Sequence, residues 1–129
     1  MTIDPGGNEA IVRAQFEAFR DRRRADSEAL LAPDFTFTSP YDDAIDRDDF
    51  FRRCWPPGDD FADVTIERVA ADAEGAFVTY LVTTHAGAQF RNTEYLRVSD
   101  GQIHSAHVYF GASYRGGVFV AQEPPTASP

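Results

Sequence analysis

A chain of 129 residues carrying a net charge of −9 suits one domain around one core. Its 43% apolar and 13% aromatic content excludes a disordered chain, and the acidic balance argues against nucleic acid as a partner, which needs clustered cations. The one cysteine, Cys54, excludes an internal disulfide and a multi-cysteine zinc site.

In chain order, "MTIDPGG" reads as a flexible lead-in over residues 1–7. Asn8 is placed to cap a first helix from Glu9, on which Val12, Phe16 and Phe19 make one apolar face. The basic run Arg22, Arg23 and Arg24 falls at the expected end of that helix, where cations complement its dipole. A second short helix starts after Asp26 and stops near Pro33.

The period then changes. "FTFTS" (35–39) alternates as a half-buried strand, Pro40 ends it, and "YDDAID" reads as a tight return. Asp46 is placed to cap a third helix that stops at Pro56 and Pro57. From residue 64, four strands separated by "ADAEG", "HAG" and "SDG" predict an antiparallel meander. The expected fold class is α+β, a curved antiparallel sheet with three helices on one face. The domain spans 8–115, followed by a tail over 116–129 whose last residues are expected to be disordered. No apolar run approaches the roughly 20 residues of a membrane span. With no signal-peptide core at the N-terminus, a cytoplasmic protein without a membrane partner is expected.

Hairpin loops decide which strand faces coincide. "SDG" admits two readings. A two-residue Asp100-Gly101 loop sets Glu94 opposite His107, whereas a three-residue Ser99-Asp100-Gly101 loop with a glycine bulge sets even positions against even ones. Apolar content favours the second, and "HAG" supports the same three-residue reading. Val78, Tyr80, Val82, Thr84, Phe90, Asn92, Glu94, Leu96, Val98, His104, Ala106, Val108 and Phe110 then share the inner face.

Glu94 is the most informative of these, because a carboxylate among Phe, Leu and Val is expensive unless hydrogen-bonded or protonated. It is either a pocket acid or base with a raised pKa, or a structural carboxylate bonded to Tyr80 or a nearby amide. His104 is either a pocket group or a strand-end side chain reaching solvent. His107, three residues on, points to the opposite face and cannot share a metal or a proton with it. Scattered histidines and the absence of an aligned carboxylate pair give poor metal-ligand spacing, and "YDDAIDRDD" reads as a solvated turn with helix-capping acids. No metal or cofactor is expected.

The stretches "LLAPDFTFTSPYDD", "IDRDDFFRRCW", "FRNTEYLRVSDGQI" and "VYFG", together spanning about residues 9 to 112, resemble the nuclear transport factor 2-like superfamily. Within it, they resemble SnoaL-like proteins of polyketide-cyclase type. The resemblance implies a cone-shaped α+β barrel, an apolar pocket between sheet and helices, and a homodimer through the outer sheet face. Phe16, Phe19, Trp55, Asn92, Val108 and Phe110 would contact the ligand, with Ser39, Tyr41 and Asp42 at the rim.

Relatives differ in the polar groups at these positions. Ketosteroid isomerase has its general base where this chain has Ser39 and an oxyanion-donating tyrosine near Phe16, whereas its second oxyanion-hole acid is matched by Glu94. SnoaL-like cyclases and limonene epoxide hydrolase carry an aspartate where this chain has Val108. The best-known catalytic sets are therefore not retained.

Three functions remain. One is a cofactor-independent acid/base enzyme on a small apolar substrate, with Glu94 as acid or base and with Tyr80 and His104 donating hydrogen bonds or relaying protons. The second is a module that binds a metabolite without changing it. The third is a dimeric structural protein with a vestigial pocket.

Overall fold

The computed structural model describes residues 5–55 and 61–121. Three helices, α1 (Pro5–Arg20), α2 (Arg24–Leu30) and α3 (Arg47–Arg53), pack on one face of a curved, unclosed sheet. The strands are β1 (Leu31–Ser39), β2 (Asp42–Asp46), β3 (Phe61–Ala71), β4 (Gly75–Thr84), β5 (Gln89–Ser99), β6 (Gln102–Arg115) and β7 (Val118–Val120). Their order is β2-β1-β6-β5-β4-β3, with β7 paired to β6.

The expected α+β architecture is present, but the sheet is mixed. β3 to β6 form the antiparallel meander, whereas β1 runs parallel to β6, with Phe37 opposite Ala106. "YDDAID" is more than a return. Residues 42–46 form β2, antiparallel to β1, and complete the edge of the sheet. Val118–Val120, within the segment read as tail, form a further short strand. The final expected disorder lies outside the described residues.

Two helix starts also differ from expectation. α1 begins at Pro5, since a proline is tolerated in a first helical turn where no intrahelical donor is needed. The helix thus takes in residues read as flexible, while residues 1–4 lie outside the described range. Asn8 is not a cap. It is buried, and its Nδ2 donates to Asp72 O across the domain at 2.8 Å.

After α1, Arg22 adopts φ +57°, with its N–H on Phe19 O and that of Arg23 on Ala18 O, a Schellman-type reversal. The basic run therefore makes the turn, and α2 opens at Arg24, so Asp26 sits in its first turn instead of preceding it. Asp46 does cap α3, its carboxylate accepting from Asp49 N at 2.9 Å.

Strand alternation sorts the faces as expected over most of the meander. Val78, Tyr80, Val82, Asn92, Glu94, Leu96 and Val98 are all buried. Of these, Val78, Tyr80, Val82, Leu96 and Val98 meet Val12 and Phe16 of α1 and Phe50 and Phe51 of α3 in one aromatic-rich core. The opposite face carries a cross-strand aromatic row. Phe77 packs on Tyr95 at 4.6 Å between ring centroids, and His107 stacks on Tyr109 at 4.8 Å.

The two hairpins reach the even-to-even register by different routes. At "HAG", Gly87 takes φ +87° and Thr84 pairs with Ala88 around a three-residue loop, as read from the sequence. At "SDG" the loop has two residues, Asp100 and Gly101, both at positive φ (54° and 76°), which is the type I′ signature. Ser99 pairs with Gln102 and Val98 with Ile103. An extra residue on β6 then slips the ladder, so that Arg97 faces Ser105 and Glu94 faces Val108. The bulge sits beside His104, not in the turn. Hydrophobicity predicts the final register because burial fixes the face, but it cannot say where the extra residue is absorbed.

Candidate active site

The helices and the concave sheet face enclose a cavity of about 860 Å³, open to solvent on one side. That volume suits a drug-sized molecule, since such sites run from about 300 to 1,000 Å³. Its walls are largely aromatic and aliphatic. α1 supplies Phe16 and Phe19, β1 Phe37, α3 Phe50, and β6 Val108 and Phe110, the last packed edge-on by Tyr41.

Glu94 stands in the middle of β5, 8% exposed and facing Val108 across the ladder. Tyr80, two strand positions away on β4, donates its hydroxyl to Glu94 Oε1 at 3.0 Å. Asn92 Nδ2 donates to the same tyrosine oxygen at 3.5 Å, and Asn92 Oδ1 accepts the Gly111 N–H at 3.3 Å. The four groups form a chain from the β5–β6 backbone to the carboxyl. Glu94 Oε2 makes no hydrogen bond within the described residues and is not sealed from the cavity.

Burial disfavours the carboxylate and pushes the Glu94 pKa up from 4.5 to about 7, with the Tyr80 hydroxyl acting the other way. Burial and the adjacent Glu94 charge push the Tyr80 phenol well above its usual range. The hydrogen bond to Tyr80 is the one expected of a structural carboxylate, and the raised pKa is the one expected of a buried pocket acid. One oxygen is held by Tyr80, and the other faces the pocket.

A second polar cluster lies where β1, β2 and α3 meet. Ser39 Oγ donates to Asp42 Oδ2 at 3.2 Å and accepts from Tyr41 N at 3.0 Å. Arg53 Nη1 approaches Asp42 Oδ1 at 2.7 Å as an ion pair, off the hydrogen-bonding line. Cys54 beside them also lines the cavity, and burial with the nearby Asp42 charge pushes its thiol up to about 12.

The structure brings together Glu94, Tyr80, Phe16, Phe19, Ser39, Tyr41, Asp42, Asn92, Val108 and Phe110 of the expected site. It does not bring in His104 or Trp55. The β6 bulge turns Ile103 into the core, and His104 instead pairs with Asp34 on β1 at 2.8 Å and with Ser99 O at 3.2 Å. Trp55 follows the end of α3 and packs edge-on against Phe19 and Phe51, filling space behind the cavity wall. Arg53 and Cys54 were missed by the sequence reading. Their signal is helical spacing: they stand three and four positions after the buried Phe50 and so share its face.

A curved sheet wrapped over helices around an open pocket is the architecture of nuclear transport factor 2-like proteins. The chain belongs to the SnoaL-like domain family, whose profile matches residues 12–106. Among solved structures, it is similar to a protein of Kribbella flavida DSM 17836 provisionally described as a ketosteroid isomerase. That match has 24% identity and a TM-score of 0.77, covering 97% of this chain and 87% of the other. A nuclear transport factor 2-like protein of unknown function from Burkholderia xenovorans LB400 matches at 13% identity and TM-score 0.72, with coverages of 85% and 87%. AclR of Streptomyces galilaeus, provisionally a hydroxylase, matches at 17% identity and TM-score 0.70, covering 84% of this chain and 77% of its own. At these identities the likeness establishes the fold. No curated protein matches the chain. Among the described residues no helix is long and apolar enough to cross a membrane.

Proposed function

We propose that this protein is an acid/base enzyme acting without a cofactor on a small, largely apolar substrate, with Glu94 as the proton-transferring group. The observation that carries the reading is the Glu94 carboxyl itself. It is buried in an apolar cavity, held at Oε1 by Tyr80, open at Oε2, and titrates at about 7. A general acid or base works best when its pKa lies near the operating pH, because both protonation states are then populated.

In the forward step Oε2 passes its proton to a substrate oxygen or carbon, and the carboxylate left behind is stabilised by the Tyr80 hydroxyl. In the return step the same oxygen takes a proton from the substrate or from an added water. Isomerisation, dehydration, cyclisation and hydration all fit this balance. Tyr80 points its proton at Glu94, not at the void, so it acts as a positioning residue.

The test is a thermal-shift screen of aromatic polyketides, terpenoids and steroid ketones, followed by deuterium incorporation from D2O into each binder. Wild type should catalyse exchange, and Glu94→Gln should lose about 100-fold or more of the rate. Equal exchange in Glu94→Gln would leave a pocket that holds its ligand without chemistry.

We further infer a homodimer through the outer sheet face. The aromatic row there supports it: Phe77 is 46% and Tyr109 55% exposed, on β4 and β6, the two strands that flank β5.

A further inference from the structure

We propose that the substrate carries a carboxylate on its apolar body, and that Arg53 binds it. This inference rests on the reading of the cavity as a ligand site, and it names the class of molecule the site takes.

Arg53 ends α3 with its side chain on the cavity wall, 30% exposed. A guanidinium has five N–H donors in a planar fork that matches a carboxylate with two parallel hydrogen bonds. Asp42 engages one corner, Nη1, and does so off-axis. No hydrogen bond from Nε or Nη2 is formed with the described residues, so much of the fork is left for a ligand.

Asp42 lies deeper, its side chain 4% exposed and fixed by Ser39. A buried carboxylate behind a half-exposed guanidinium orients the cation without covering it. It also lowers the rotamer entropy that a free arginine would lose on binding.

The charges around the cavity point the same way. The protein is strongly acidic at −9, yet the lining holds two guanidiniums, Arg53 and Arg115, against one aspartate, Asp42, and one glutamate, Glu94. Burial pushes the Glu94 carboxyl up to about 7, so about a unit or more below that it is mainly protonated and adds little repulsion toward an anion. Arg53, Cys54 and Glu94 all line the one cavity, which puts the arginine and the acid on the same chamber. A purely apolar ligand would leave the Arg53 fork unmatched, and a cation would meet two arginines.

The experiment compares 2-naphthoate with its uncharged isostere 2-naphthamide by titration calorimetry at about pH 6, where Glu94 is mainly protonated. Wild type should bind naphthoate about tenfold tighter than naphthamide. Arg53→Met should erase that preference while changing naphthamide binding by less than about twofold. Arg53→Lys should keep part of it, because a point charge replaces the fork. Asp42→Asn, which leaves the guanidinium uncompensated, should tighten naphthoate by about threefold or more. That gain would not occur if Arg53 served only to neutralise Asp42.

No naphthoate preference in wild type, or a preference that survives Arg53→Met, overturns the proposal. If Arg53→Met fails to fold, the Asp42→Asn arm decides alone, and an unchanged naphthoate affinity there overturns it as well. Glu94→Gln should retain the naphthoate preference. Loss of the acid/base reading would appear in exchange rates, and loss of this one in the Arg53 and Asp42 binding ratios.

Discussion

Glu94 illustrates how burial and one hydrogen bond set the behaviour of a single side chain. Its folded pKa, about 7, lies above the 4.5 of an exposed glutamate. The native state therefore favours the protonated form. Its contribution to stability is fully present below about pH 4.5 and is lost as the pH rises to about 7, after which both states are ionised. At about 1.4 kcal/mol per unit, the loss is on the order of 3 kcal/mol. Glu94→Gln has no such titration. Its stability relative to wild type, from urea melts across this range, should rise with pH between about 4.5 and 7 and then level. A flat difference would show that the carboxyl is not held neutral. Tyr80→Phe removes the hydroxyl that stabilises the carboxylate, so the Glu94 titration, followed by carboxyl 13C shift, should move above about 7. An unchanged midpoint would mean that the tyrosine does not tune it.

Among the elements, β6 does most to shape the site, through two departures from a regular ladder. Near its start, the extra residue beside His104 sends Ile103 inward and restores Glu94 to face Val108. Further on, a second irregularity leaves Arg91 between Phe90, opposite Ser113, and Asn92, opposite Phe110. Gly111 sits at that point, and a Cβ there would lie 2.1 Å from Arg91 O. The close approach lets the Gly111 N–H reach Asn92, which in turn touches Tyr80. Gly111→Ala must push the strands apart locally. It should cost about 1–3 kcal/mol in chemical denaturation and shift the Glu94 titration, whereas the reverse change at exposed Ala112, Ala112→Gly, should cost about 1 kcal/mol or less and leave the titration in place. Retention of wild-type stability in Gly111→Ala would show that the backbone yields easily.

The legible part of the sequence was what burial dictates. Alternation in 78–84 and 90–98 identified the inner face, and Glu94 stood out there because it broke the apolar pattern. The position of the bulge and the fate of His104 were not legible, since an unpaired residue costs the same hydrophobicity wherever it falls. Helical spacing sets Arg53 on the Phe50 face, but its approach to Asp42 was not legible, because it depends on where α3 docks against β1.

For the whole molecule, the sheet divides the labour between its two faces. The concave face holds the pocket, and the convex face carries Phe77, Tyr95, His107 and Tyr109. If that face joins two copies, the wild type should sediment as a dimer and the Phe77→Asp, Tyr109→Asp double variant as a monomer of unchanged circular dichroism. A monomeric wild type at about 100 μM would dismiss the dimer.

The parallel join between β1 and β6 also has a bearing on folding order. The Asp34–His104 pair at that join links residues 70 positions apart. During synthesis, β1 therefore emerges long before the neighbour that covers it, while the hairpins from β3 to β6 can close on themselves in turn. Loop-closure entropy and contact order both place such distant pairing late. The join that sets β1, and with it the β2 and α3 elements carrying Asp42 and Arg53, against the rest of the sheet should thus be the last part of the cavity to form.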